Sequence, residues 1–193
     1  MRRLFTVIAF LAFGVAPALA HIGHGATDSF PAGFSHPFAG IDHVMAMVLV
    51  GMWAAIEGGR ALWAGPGIFV AVMLFGSILG IQGIPLPFVE PAILASVVAL
   101  GLLVAFAIDL PLSVAAAMVA VFALFHGYAH GSEVTETARG VAYMAGFALA
   151  TAALHILGMG FAEGMTCLRL RSVVRLAGAI CVVMGAGMFA GLM

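Results

Sequence analysis

Charge is the scarcest property of this 193-residue sequence. Only 8% of its residues are charged, and every one of its seven basic residues is Arg, with no Lys. A soluble domain carries roughly 25% charged residues, so this chain has too few to cover a water-facing surface. Its hydrophobic fraction of 64% and mean hydropathy of +1.22 instead predict an integral membrane protein, with the lipid bilayer as its surroundings. The net charge of −1 gives no reason to expect a nucleic-acid partner.

Cysteine is also scarce, since Cys167 and Cys181 are the only two in the chain. Two cysteines make neither a disulfide framework nor a thiolate metal site, and Cys181 falls in an apolar run as a small packing residue. A phosphate-binding loop of the G-x-x-x-x-G-K-[ST] kind is absent as well. We therefore expect no prosthetic group and no nucleotide hydrolysis. Any ion movement would be driven by a gradient, by the membrane potential or by removal of the ion inside.

The first 20 residues have the organisation of a secretory signal peptide. Residues 1–3 are basic at two positions, residues 4–16 are apolar, and Ala-Leu-Ala at 18–20 fits a small-residue cleavage site. The alternative is an uncleaved membrane helix, but the apolar run is short for a span of about 20 residues. We expect cleavage after residue 20, which would make His21 the mature N-terminus.

Six apolar segments follow in the mature chain. Each is about long enough to cross roughly 30 Å of hydrocarbon at 1.5 Å per residue. The sequence therefore predicts an all-α membrane protein in which residues 21–193 form one domain of six transmembrane helices. Pro37 is expected in the first turn of the first helix. The predicted spans are at about 37–56, 62–80, 91–108, 112–131, 139–161 and 173–192.

The distribution of Arg predicts the orientation of these spans. If the mature N-terminus lies outside, four Arg residues fall in inner loops and one in an outer loop, as the positive-inside rule requires. The signal peptide predicts the same orientation from different residues. We therefore expect a multi-pass protein of the bacterial inner membrane with both mature termini in the periplasm. The inner residues are Arg60, Arg169, Arg171 and Arg175, and the outer one is Arg139.

The fourth predicted span ends in the sequence Phe-His-Gly-Tyr-Ala-His-Gly-Ser-Glu at 125–133. His126 and His130 are four residues apart, so on a helix they lie on one face, with Glu133 close to it. Polar groups inside a span are costly and usually mark a site or a pathway. The glycines at 127 and 131 are spaced so that a neighbouring backbone can approach closely.

The first predicted span begins with His-Pro-Phe-Ala-Gly-Ile-Asp-His at 36–43, which repeats this chemistry. Asp42 and His43 are expected about 10 Å below the outer end of a helix that begins near His36, and Gly40 is expected to let a neighbouring backbone approach. Because the fourth span runs outward, both clusters fall in the outer half of the bilayer. A single histidine there is as often an interhelical hydrogen bond as a ligand, but six polar groups in one leaflet predict a metal site.

Three other histidines are weaker candidates. His155 stands alone in the fifth span, in the inner half, and is either a relay ligand or a packing residue. His21 and His24 lie in the short polar lead before the first span, where they either capture metal or belong to a solvated tail.

Imidazole nitrogens and carboxylate oxygens together suit Ni²⁺, Co²⁺ or Zn²⁺, and the lack of paired thiolates disfavours Cu(I). A transporter of such an ion is the first interpretation. An intramembrane zinc hydrolase is the second, because the same groups also describe a site that activates water. A haem-binding electron carrier with axial histidines is a third alternative.

The two quoted stretches resemble the signature sequences of the HupE/UreJ family of nickel/cobalt permeases. The resemblance extends over the signal peptide and the six spans. It implies a protein that is not an enzyme, with secondary uptake of Ni²⁺ or Co²⁺ for metalloenzymes such as hydrogenase or urease. It also implies that the metal path is formed by six residues: His36, Asp42, His43, His126, His130 and Glu133.

Overall fold

The structure of the protein is a computed structural model that describes residues 29–134 and 137–192. The predicted signal peptide, His21 and His24 lie outside the described residues. Within the described ranges the chain forms seven α-helices and one 3-10 turn, at His36–Phe38. The helices are α1 (Phe30–Ser35), α2 (Ile41–Glu57), α3 (Ala61–Ile81), α4 (Val89–Phe106), α5 (Leu112–Ser132), α6 (Thr137–Cys167) and α7 (Arg171–Phe189).

Five of these helices, α3 to α7, are by themselves long and apolar enough to cross a membrane. The 17 residues of α2 count as a sixth span only together with α1 and the 3-10 turn, from which α2 is bent by 85°. A helix satisfies its backbone N–H and C=O groups within the segment, which the bilayer interior demands. The prediction of an all-α, multi-pass membrane protein is therefore confirmed.

The start of the first span differs from the continuous helix predicted over 37–56. Pro37 has no N–H to donate, and it lies buried in the 3-10 turn rather than in the first turn of a membrane helix. Gly40 is the N-cap residue of α2, and its nearest neighbours are the side chains of Asp42 and His43 rather than a neighbouring backbone. The bend places Asp42 and His43 in the first turn of α2, not about 10 Å down a straight helix.

The central helix of the bundle is α2, which packs against α3, α4, α6 and α7. Between Met45 and Ala54 nearly all of its residues are buried. A helix that is apolar on every side suits such a central position. The polar residues of its first turn, Asp42 and His43, are partly buried at the end of this central helix.

The most extensive helix pair is formed by α3 and α5, which run parallel. Gly127 and Gly131 on α5 lie against the α3 backbone, and Gly76 and Gly80 on α3 lie against the α5 backbone, so a side chain at any of them would collide with the partner helix. The close approach predicted at Gly127 and Gly131 is confirmed. The pairing brings the last turns of α3 and α5 together near the start of α2, and we call this the site end of the bundle.

Candidate metal-binding site

At the site end, His36, His130 and Glu133 form the first group of polar side chains. Nε2 of His36 lies 3.2 Å from Oε2 of Glu133, and Nδ1 of His130 lies 3.8 Å from the same oxygen. The three residues offer ligand atoms within 4.8 Å of one another, a spacing that suits one metal ion. The 3-10 turn supplies the first of them, and the end of α5 supplies the other two. The two polar stretches of the sequence therefore meet here.

A carboxylate–imidazole pair, Asp42 and His43, occupies the first turn of α2. Oδ1 of Asp42 lies 2.9 Å from Nδ1 of His43 and accepts the backbone N–H of His43 at 2.9 Å. Because a carboxylate only accepts, Nδ1 carries the ring proton and Nε2 keeps its lone pair. This Nε2 atom is buried and has no hydrogen-bond partner among the described residues. Asp42 thus orients His43 in the way that carboxylates orient metal-binding histidines.

His126 lies one turn before His130 on α5, and a hydroxyl group fixes its orientation. Ser96 Oγ on α4 donates to the carbonyl of Ile93 at 2.6 Å and lies 3.0 Å from Nε2 of His126. Since the single hydroxyl proton is engaged with the carbonyl, Ser96 accepts, and the proton of His126 is on Nε2. Its Nδ1 is left with a free lone pair, buried and without a partner among the described residues.

The four imidazoles form a continuous row from the surface into the bundle. The ring centroids are 4.6 Å apart for His36 and His130, 4.4 Å for His130 and His43, and 4.9 Å for His43 and His126. Glu133 and His36 are the most exposed side chains of this group, at 48% and 29%, whereas His43 is 13% exposed, His130 is 4% exposed and His126 is fully buried. An ion bound at Glu133 would therefore find further imidazoles in the interior of the protein.

The charges of this arrangement favour a cation. Among the described side chains, Asp42 and Glu133 pair only with imidazoles, so no fixed positive charge in that set neutralises them. Both ring nitrogens of His130 are buried without hydrogen-bond partners in the described part of the chain. Buried polar atoms normally have partners, and an unpaired one costs about 1–3 kcal/mol. Imidazole nitrogens beside two carboxylates are a donor set that could bind a divalent transition metal.

The seventh histidine, His155, lies on α6 and is not part of the row. It contacts the row only indirectly, because the ring of Phe69 packs against His126 at 5.6 Å and against His155 at 5.1 Å, centroid to centroid. Sequence reasoning missed both Phe69 and Ser96. The only signal for Ser96 was a hydroxyl group within an otherwise apolar span, and for Phe69 there was none.

Comparison with known proteins agrees with these features. A family model described as "HupE / UreJ protein" matches residues 8–188. The chain is 45% identical over 190 residues to "Protein HupE" of Rhizobium leguminosarum bv. viciae, an alignment that covers 98% of each chain. No solved structure matches. The family match spans nearly the whole chain, and the resemblance noted from the two histidine stretches is confirmed: the chain belongs to the HupE/UreJ family.

Proposed function

We propose that this protein carries Ni²⁺ or Co²⁺ across the bacterial inner membrane into the cytoplasm by secondary transport. The observation that carries the proposal is the row of imidazoles from the exposed Glu133 and His36 to the buried His126. A site that only stored or activated a metal needs one group of three or four ligands, which His36, His130 and Glu133 could supply. The imidazoles of His43 and His126 beyond that group are what favour a path. Membership of the HupE/UreJ family supports the same conclusion.

Entry would begin at the exposed Glu133 and the partly exposed His36, beside which the buried His130 lies. The carboxylate attracts the hydrated ion, and the imidazoles replace its water ligands. His130 connects the entry group to the deeper imidazoles, because its ring packs against His36 on one side and His43 on the other. The ion can therefore pass to the free Nε2 of His43 and then to Nδ1 of His126 without ever losing all its protein ligands.

The donor set suits Ni²⁺, Co²⁺ and Zn²⁺, and membership of the HupE/UreJ family favours the first two. Imidazole nitrogens suit all three ions, and carboxylate oxygens add charge without the softness that selects Cu(I). A path made of imidazoles and carboxylates binds less tightly than a closed thiolate site, which allows the ion to leave. We expect the imported metal to serve a metalloenzyme of the hydrogenase or urease kind.

The membrane potential is sufficient as a driving force. With the site end in the periplasm, a divalent ion entering the cytoplasm moves down the potential. Each elementary charge contributes about 2.3 kcal/mol per 100 mV, so a divalent ion gains about 4.6 kcal/mol. That energy sustains a concentration ratio of more than a thousandfold, since each 1.4 kcal/mol corresponds to a factor of ten.

Uptake into proteoliposomes tests the proposal. Purified protein is reconstituted with an inside-negative potential, and uptake of labelled Ni²⁺ and Co²⁺ is compared for the wild type, His130→Ala and Glu133→Gln. Glu90→Gln is the matched control, because Glu90 is an exposed carboxylate at the same end of the bundle that joins none of the described ion pairs.

We expect saturable uptake by the wild type and Glu90→Gln, and loss of uptake in the two site variants. Equal uptake by all four proteins would show that the row of imidazoles is not the path. A wild type that transports neither ion but retains Zn²⁺ stoichiometrically through purification would refute transport and favour the zinc hydrolase.

A further inference from the structure

His155 is buried, and within the described part of the chain neither of its ring nitrogens makes a hydrogen bond that would explain a structural role for the imidazole. Its exposed fraction is 1%, and neither ring nitrogen has a hydrogen-bond partner among the described residues. A histidine that ties two helices together donates or accepts a hydrogen bond across the interface. Leaving both nitrogens unpaired costs about 1–3 kcal/mol for each. The folded protein therefore maintains a free imidazole here at the expense of stability.

The surroundings of His155 supply further donor atoms. Thr151 lies one turn earlier on the same face of α6, is fully buried, and directs its hydroxyl group toward Sδ of Met73 at 3.6 Å. Met73 and Phe69 lie one turn apart on the facing surface of α3, and the Phe69 ring packs edge-on against His155. An imidazole, a thioether and a hydroxyl group thus border one region between α3 and α6, a donor set for a borderline or soft cation.

His155 lies deeper in the bundle than the row of imidazoles. Its backbone lies against Gly51 of α2, eight residues beyond His43, which at 1.5 Å per residue is about 12 Å deeper in the bundle. The Phe69 ring stands between the last histidine of the row, His126, and His155. The described part of the path therefore consists of two polar regions separated by one aromatic side chain.

We propose that His155, with Met73 and Thr151, forms an inner binding station for the transported ion, and that Phe69 is the barrier between this station and the row at the site end. The inference rests on the proposed transport function. The ion leaves Nδ1 of His126, passes Phe69 when that side chain rotates away, and is held by His155 before release. With Phe69 in the observed position, its ring separates the row at the site end from the inner station. A carrier requires such a barrier, because it never forms an open pore.

Two substitutions at His155 separate a ligand from a packing residue. His155→Leu and His155→Met are both apolar and of similar volume, so they repack the site equally well. Only the methionine variant keeps a donor atom for the metal. Each variant is reconstituted with the wild type, and two quantities are measured: the uptake rate of Ni²⁺, and the Kd for Co²⁺ in detergent, which reports on the site-end row.

We expect His155→Leu to lower the uptake rate by about tenfold or more, the lower end of what loss of a metal-site contact costs. His155→Met should recover most of this loss. In both variants the Kd for Co²⁺ should stay within about twofold of the wild-type value, which also shows that the protein is folded.

Wild-type uptake by His155→Leu would overturn the inference while leaving the proposed function intact. Equal loss in both variants would also overturn it, because the ring and not a donor atom would then be required. Absence of uptake by the wild type itself would instead refute the proposed function.

Discussion

Ser96→Ala is the substitution that tests the local chemistry of the site most sharply. Oγ of Ser96 lies 3.0 Å from Nε2 of His126, and we infer that it accepts the Nε2 proton and thereby leaves Nδ1 free to bind metal. Alanine removes only the hydroxyl group. The His126 proton then has no acceptor, and the ring can carry it on either nitrogen.

The expected magnitude follows from the lost hydrogen bond. A neutral hydrogen bond contributes about 1 kcal/mol, and a buried donor left unpaired costs about 1–3 kcal/mol. Since 1.4 kcal/mol is a factor of ten in affinity, the metal affinity should fall by about tenfold. This agrees with the 10–100-fold losses that are typical when the residue that orients a ligand is removed.

Ser77→Ala is the matched control for this experiment. Ser77 is also buried and also donates to the carbonyl three residues earlier, that of Leu74, at 2.7 Å, but no imidazole contact of its hydroxyl group is found among the described residues. Metal affinity is measured by titration with Co²⁺, and the protonated nitrogen of His126 is identified from the ¹⁵N resonances of the ring. Affinity within twofold of the wild type for Ser96→Ala, together with an unchanged Nε2–H tautomer, would refute the reasoning.

Two further predictions concern packing and orientation. Gly127→Ala should lower the melting temperature and the yield of folded protein, because its Cβ would collide with the α3 backbone. Gly67→Ala, where nothing lies within 4 Å of the added atom, should be neutral or stabilising by up to about 1 kcal/mol, and equal melting temperatures for the two variants would contradict the packing. The exposed Cys167, at the end of α6 remote from the site, should react with a membrane-impermeant maleimide in inverted vesicles and not in spheroplasts. Labelling in spheroplasts would reverse the proposed orientation.

Much of the architecture could be predicted from sequence because the physics is local. A chain with so few charges must satisfy its backbone within helices, and runs of about 20 apolar residues set where those helices lie. The two polar stretches were expected to lie in the same half of the membrane, and His43 does pack against His126 and His130. The spacing of the glycines at 127 and 131 predicted a close helix pair, and both glycines do lie against the α3 backbone.

The bend before α2 was not predicted, because hydropathy alone does not distinguish a continuous helix from a broken one. A proline such as Pro37 is compatible both with the first turn of a helix and with a break in a helix. The structure shows the second, and the bend is what lets His36 face Glu133 while His43 faces His130.

The roles of Ser96 and Phe69 depend on contacts between helices that no local pattern specifies. A serine in an apolar span can bond to its own helix, as Ser96 also does, and nothing in the sequence reveals that it accepts from a histidine 30 residues away. Phe69 is one of 15 phenylalanines, and only its position between His126 and His155 distinguishes it.

The central claim is that polar residues from two distant parts of the chain bind the same ion, and X-ray absorption at the Ni edge tests it most directly. Purified protein loaded with one equivalent of Ni²⁺ is compared with His43→Ala and His130→Ala, which remove imidazoles from α2 and α5. We predict nitrogen and oxygen ligands including at least two imidazoles, and the loss of one imidazole in each variant. A spectrum without imidazole ligands, or one that neither substitution changes, would contradict the account.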